Sequence, residues 1–102
     1  MKFTQEKFKQ GLQRFAFEHV IPSVDPFAQF MLGATWGLME PQIIPKMKDF
    51  GLVCDDGMVD LDVLERAVMH GFKASKDRFP ITVLGNTFTF KPDDWAALKR
   101  YM

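Results

Sequence analysis

The sequence predicts a mainly helical α+β domain, a compact bundle of four to five helices with one C-terminal β-hairpin followed by a short helix. Apolar residues recur at helical spacing over much of the chain, and capping residues and prolines mark helix starts. Near the C-terminus, alternating apolar and polar residues flank a Gly-Asn pair. A chain of 102 residues has the size of one domain. We therefore predict a single domain over residues 1–102, with the hairpin-helix unit at 79–102.

The first helix is predicted to run from Thr4, a suitable N-cap, to about Val20. One face carries four residues at helical spacing that we expect in the core: Phe8, Leu12, Phe15 and His19. Phe17 and Ile21 fall on a second, smaller apolar edge. The helix should end at Ile21-Pro22, because the residue before a proline avoids the helical conformation.

The second helix begins at Asp25, which can cap it, followed by Pro26 at the first helical position. The segment Pro26–Met39 carries no charge and is apolar in nearly every direction, so we expect it to be buried on most sides. A stripe of small and polar residues also follows helical spacing: Gln29, Gly33, Gly37 and Glu40. Glycines in this stripe would let another backbone approach closely.

Two prolines, Pro41 and Pro45, predict a break after the second helix, because proline removes a backbone donor and clashes with the preceding turn. A short helix is then expected from Gln42 to Phe50, ended by Gly51 in a left-handed conformation. Asp60 should cap the next helix, which reaches about Ser75 and places His70 opposite its core face.

The hairpin is predicted between Ile81 and Phe90, with Gly85-Asn86 as a two-residue turn. This turn sets three cross-strand pairs: Val83 with Phe88, Ile81 with Phe90, and Thr82 with Thr89. Leu84 would then lie on the face that carries the threonines. Pro92 begins the last helix, at the first helical position.

No catalytic, cofactor or metal site is recognisable in the sequence. The acidic loop contains four carboxylates: Asp55, Asp56, Asp60 and Asp62. It fails the EF-hand template, because with Gly57 at the invariant glycine the first and third positions become Leu52 and Cys54. His19 and His70 lack partners at metal-ligand spacing, and Cys54 has no basic neighbour that would stabilise a thiolate. We expect neither enzymatic activity nor a cofactor.

The overall charge excludes a strongly basic or acidic protein, since 13 basic residues balance 13 acidic ones. One cysteine cannot form an internal disulfide, which fits a reducing compartment and predicts a cytoplasmic protein. No apolar run reaches the roughly 18 residues that a membrane span needs. Neutral net charge favours self-association over mutual repulsion.

A short basic edge, Lys73, Lys76 and Arg78, precedes the hairpin and could imitate a winged helix-turn-helix. The helix that would enter a groove, however, opens with three carboxylates: Asp60, Asp62 and Glu65. DNA phosphates would repel them. A nucleic-acid-associated regulator is therefore the alternative hypothesis, and solvated basic side chains explain the same residues.

The main hypothesis is a non-enzymatic interaction or assembly protein, because one small core can rarely cover every apolar side of these elements. The candidate interface residues are Phe17, Ile21, Gln29, Gly33, Trp36, Gly37 and Leu84. The second helix packing on its symmetry mate across Gly33 and Gly37 would make an isologous contact. We therefore expect a homo-oligomer or a protein partner, unless the other helices cover this surface.

The second half of the chain carries a recognisable pattern over residues 55–102. Asp55-Asp56-Gly57 leads into a helix, Phe79-Pro80-Ile81 opens the hairpin, and Asp93-Asp94-Trp95 begins the closing helix. This pattern resembles the ends of small uncharacterised proteins of bacterial prophage-like regions. The resemblance implies an accessory or assembly role in phage biology, and it implies no activity and no site residues.

Overall fold

The computed structural model describes residues 1–83 and 86–102, with side chains at all of these positions except 82, 83 and 86. The α-helices are α1 (Gln5–Phe15), α2 (Pro26–Asp49), α3 (Leu61–Ser75) and α4 (Pro92–Tyr101). A π-helical turn (Ala16–Val20) and a 3-10 turn (Ile21–Ser23) link α1 to α2. The strands are β1 (Lys2–Phe3), β2 (Val59–Asp60), β3 (Phe79–Val83) and β4 (Asn86–Phe90). The predicted fold, mainly helical with a hairpin and a final helix, is confirmed.

The caps expected from the sequence form as predicted. The Thr4 hydroxyl accepts the backbone N–H of Lys7 at 3.2 Å, and the Asp25 carboxylate accepts that of Ala28 at 2.9 Å. Asp60 likewise accepts the N–H of Asp62 at the start of α3. These local bonds fix where the helices begin, since each satisfies a donor that has no partner inside its helix.

The core lies where α1, α3 and α4 meet. Its buried apolar residues are Phe3, Phe8, Phe15, Ile44, Val59, Leu64, Phe72, Trp95, Ala97 and Leu98. Close approach of α1 and α4 requires Gly11, because a Cβ there would lie 2.9 Å from the Met102 sulfur and 3.0 Å from the Tyr101 carbonyl oxygen. The short antiparallel β1–β2 ladder closes one side of this core. It could not be predicted from the sequence, because two-residue strands show no alternation.

Two predicted boundaries were wrong. The first helix does not remain α-helical to Val20: it changes to the π turn after Phe15, and the chain stays helical through Pro22 in the 3-10 turn. The second helix does not break, and it runs unbroken from Pro26 to Asp49 with both prolines inside.

Exposure of the two prolines explains why α2 continues. Each proline removes one backbone donor, which would have bonded the carbonyl four residues earlier. Pro41, Pro45 and Gly37 are all exposed, so water can reach the carbonyls of Gly37 and Pro41. Gly51 does end the segment as predicted, with φ at 71°.

The hairpin register differs from the predicted one by two residues. The observed pairs are Phe79 with Phe90, Pro80 with Thr89, Ile81 with Phe88, Thr82 with Thr87 and Val83 with Asn86. A shift of two keeps every residue on its predicted face, so hydrophobic alternation cannot distinguish the two registers. The observed register gains the Phe79–Phe90 pair. Gly85, of the predicted turn, and Leu84 lie outside the described residues.

The hairpin packs against α3. The rings of Phe72 and Phe90 stack with their centroids 5.6 Å apart, and the Phe79 ring lies 3.3 Å from the position that a Cβ on Gly71 would take. Glycine at position 71 therefore lets the hairpin sit close to the helix.

Candidate interaction site on α2

The outward face of α2 is an exposed apolar stripe. We use the name outer stripe for the seven residues of this face, all of which are exposed: Phe27, Phe30, Gly33, Ala34, Gly37, Leu38 and Pro41. The side chains of Phe27, Phe30 and Leu38 are 69%, 70% and 72% exposed. The helical rise of about 1.5 Å per residue makes the stripe roughly 21 Å long. The expectation that α2 is buried on most sides is therefore wrong for the single chain, in which only Ala28 and Ile44 of this helix are fully buried.

The centre of the outer stripe is small and open. A Cβ built on Gly33 or Gly37 meets nothing within 4 Å. Large side chains lie towards both ends of the stripe, with Phe27 and Phe30 on one side of Ala34 and Leu38 and Pro41 on the other. The larger side chains of the stripe therefore lie towards its two ends, and the smallest lie around Ala34.

The inward face of α2 lines an apolar pocket of about 450 Å³, which we call the inner pocket. Four residues of α2 line it: Leu32, Trp36, Met39 and Ile43. The other walls come from α1, the π turn, the linker to α2, the hairpin and α4, and they include Leu12, Ala16, Ile21, Phe88 and Leu98. Among the lining residues that the structure describes, the polar side-chain groups are the Thr87 hydroxyl and the Trp36 indole N–H.

The candidate interface residues divide between these two faces. Gly33 and Gly37 belong to the outer stripe, whereas Ile21 and Trp36 line the inner pocket. Phe17 is 41% exposed and its ring meets that of Trp36 edge-on at 5.8 Å. Gln29 does not join the stripe, since its amide donates to the Val24 carbonyl at 3.0 Å. Leu84 lies outside the described residues.

Sequence reasoning did not name Phe27, Phe30, Leu38 or Pro41 as interface residues. Together with Ala34 they follow steps of three, four, four and three residues, and this spacing is visible in the sequence. These residues were missed because a break was predicted at Pro41 and because the helix was expected to be buried, so the four were not recognised as one exposed face.

Several polar groups, at the edge of the core and in the acidic loop, make structural hydrogen bonds. The Nε2 atom of His19 lies 2.8 Å from Oδ1 of the buried Asp94, so His19 is hydrogen-bonded, but its side chain is 34% exposed and lies at the edge of the core rather than inside it. Asp94 also accepts the backbone N–H of Lys91, and so caps α4. In the acidic loop, Asp56 pairs with Lys2 at 3.1 Å and accepts the Met58 N–H, and these bonds hold the pKa of Asp56 below its ordinary value.

No group of three metal-ligating side chains occurs within 1–83 and 86–102. Cys54 is half-buried in the loop before β2. Across the part of the chain that the structure describes, no helix is both long and apolar enough to span a membrane.

The basic edge lies at the end of α3. Lys73, Lys76 and Arg78 are all exposed, and Lys76 takes the left-handed conformation that ends the helix. Asp77 stands between two of these cations in the chain and is also exposed. The edge is therefore a short mixed-charge segment rather than a continuous basic surface.

Comparison of the chain with protein-family models, with curated proteins and with solved structures finds no match. The two apolar faces of α2 are therefore the features of this chain that point to a function.

Proposed function

We propose that this protein is a non-enzymatic interaction protein that self-associates, with the outer stripes of two α2 helices packed antiparallel around a two-fold axis near Ala34. The observation that carries the proposal is the exposure of Phe27, Phe30 and Leu38 beside open space at Gly33 and Gly37. Contiguous exposed apolar surface of this kind usually marks a partner site.

The distribution of side-chain size favours a second copy as the partner. In an antiparallel pair centred on Ala34, Phe30 of one copy faces Leu38 of the other, and Phe27 faces Pro41. Ala34 lies at the axis, with Gly33 and Gly37 within one helical turn of it, so the two backbones can approach closely there. A two-fold contact must be self-complementary, and a stripe with larger side chains at both ends and small ones around its centre is compatible with that requirement.

Charge and area are compatible with this contact. No charged residue occurs between Pro26 and Met39, so pairing two copies places no unpaired charge in the centre of the interface. Phe27 and Phe30 each expose roughly 100–170 Å², taking about 150–250 Å² for a whole phenylalanine side chain. With Leu38 and the small residues between, the stripe approaches the roughly 600 Å² per partner of small specific interfaces. We therefore expect a dimer with a dissociation constant of about micromolar order.

Gly37→Leu tests this proposal because it separates folding from association. In the single chain the new side chain has open space, and leucine gains about 0.8–1 kcal/mol of helix propensity over glycine. In the dimer the same side chain would hold the backbones apart. We expect a variant that unfolds at the same or a higher temperature than the parent and whose mass, by light scattering, is that of a monomer. A variant that keeps the dimer mass would contradict close packing at Gly37.

The resemblance of residues 55–102 to prophage-encoded proteins supports placing such self-association in an accessory or assembly role in phage biology. Nucleic-acid binding through Lys73, Lys76 and Arg78 is the alternative, supported by the exposure of all three cations. It predicts a salt-dependent mobility shift of labelled DNA, and loss of that shift when the three residues become Gln. Absence of any shift at low salt would end this alternative, because the electrostatic attraction is strongest there.

A further inference from the structure

We propose that the inner pocket is a binding site for an uncharged, apolar small molecule, such as a hydrocarbon chain or a fused-ring compound. This site lies on the opposite face of α2 from the outer stripe, so the proposal does not depend on self-association. Its occupant is defined by the volume of the pocket and the chemistry of its walls.

The volume fits a ligand of substantial size. Pockets that bind small molecules typically measure about 300–1,000 Å³, and the inner pocket measures about 450 Å³. A cavity of about 150 Å³ lined by aliphatic and aromatic side chains already holds a benzene molecule. A space of the observed size therefore accommodates several rings or an extended chain.

The walls select for an apolar and uncharged ligand. No ionisable side chain is among the described lining residues, whose character is set by Leu12, Leu32, Met39, Ile43 and Phe88. A charged group inside would lose its hydration without gaining a partner, which is strongly unfavourable. An apolar occupant instead removes its own surface and that of the walls from water, which is favourable in proportion to the area removed.

The way α2 is attached explains why this space exists. Near its C-terminal end, Ile44 is buried in the core and Met47 packs against it. Over the preceding turns, Leu32, Trp36 and Met39 face the pocket rather than close-packed core. The helix is therefore held by buried residues near both ends, Ala28 and Ile44, and between them its inward face borders the pocket, where a ligand would complete the packing.

Trp36 provides a local reporter of occupancy. It lines the pocket, whereas Trp95, the other tryptophan, is 2% exposed and donates to Glu65 at 3.1 Å. The uncharged dye N-phenylnaphthylamine should bind the full-length protein saturably, one dye per chain, with energy transfer from tryptophan. Trp36→Phe should lower that transfer, with Trp95 left as the other donor. Transfer that is unchanged in Trp36→Phe would overturn the assignment.

Ala16→Phe tests the site by filling it, since Ala16 lines the pocket from the π turn. The variant should bind the dye at least about tenfold more weakly, and its melting temperature should not fall by more than a few degrees. Leu32→Trp fills the pocket from α2 and gives a second, independent block if Ala16→Phe folds poorly. The matched control is Ala34→Ser, on the outer stripe, which should bind the dye as the parent does.

Phe30→Ser separates this site from the proposed self-association. It should lose the dimer and keep the dye. Loss of dye binding in Phe30→Ser, together with normal binding in Ala16→Phe and Leu32→Trp, would place the dye on the outer stripe and overturn the proposal. Absence of saturable binding to the parent protein would also overturn it.

Discussion

Replacing Phe30 by Ser should dissociate the proposed dimer while leaving the folded chain intact. The side chain is 70% exposed in the single chain, so its removal costs the fold little. In the dimer it would bury roughly 100–170 Å². At about 25 cal/mol per Å² this corresponds to about 2.5–4 kcal/mol for each copy.

The two-fold axis doubles this effect, because both copies contribute Phe30 to the same interface. Area overestimates binding energy, since association also carries entropic and desolvation costs. Even a third of the doubled loss, about 2 kcal/mol, weakens the dimer by about thirtyfold. A dimer of micromolar affinity would then sediment mainly as a monomer at the concentrations used for the parent.

Sedimentation velocity over a series of protein concentrations measures this change, and Phe50→Ser is the matched control. Phe50 is 78% exposed, more than Phe30, but it follows the end of α2 and lies away from the outer stripe. If apolarity alone drove association, Phe50→Ser would have the larger effect. The proposed packing of the outer stripes is refuted if both variants sediment as the parent does, or if Phe50→Ser dissociates as readily as Phe30→Ser.

Two further predictions concern stability. Gly11→Ala should lower the free energy of unfolding by about 1 kcal/mol in urea denaturation, because the new methyl group would lie 3.0 Å from the Tyr101 carbonyl oxygen. This steric cost outweighs the gain in helix propensity. An equal or raised free energy of unfolding would show that α4 can shift away from α1 without cost. Hydrogen bonds from Trp95 and Lys99 lower the pKa of Glu65 in the folded protein. The contribution of ionised Glu65 to the free energy of unfolding is therefore complete above the unfolded-state pKa of about 4.3, and it is lost as the pH falls through the lower folded-state pKa. The melting-temperature difference between the parent and Glu65→Gln should therefore shrink in acid, and a difference that is constant with pH would contradict this role.

The local features of the fold were predictable from the sequence because they depend on neighbouring residues. The caps at Thr4, Asp25 and Asp60 each need one side-chain oxygen and a nearby N–H, and all three form. The final helix begins at Pro92 as predicted. The hydrogen bond between His19 and Asp94 could not be predicted from the sequence, because the two residues are 75 positions apart in the chain.

The features that depend on solvent were the ones that sequence reasoning missed. Pro41 and Pro45 break a helix when the carbonyls they leave unpaired are buried, and here both prolines are exposed. The apolar composition of α2 indicated burial, but it cannot distinguish burial within one chain from burial between two. The same composition therefore led to the wrong expectation for the single chain and to the hypothesis of a partner.

Disulfide formation at Ala34 tests the central proposal most directly, because it reports the distance between two copies at the proposed axis. Ala34→Cys, in a chain whose Cys54 is replaced by Ser, should cross-link rapidly under mild oxidation, since a disulfide needs Cα atoms about 4.4–6.8 Å apart. Ala67→Cys, at an exposed position on α3, is the matched control and should remain mostly monomeric. Equal rates of cross-linking at the two positions, or none at position 34, would contradict an antiparallel dimer built on α2.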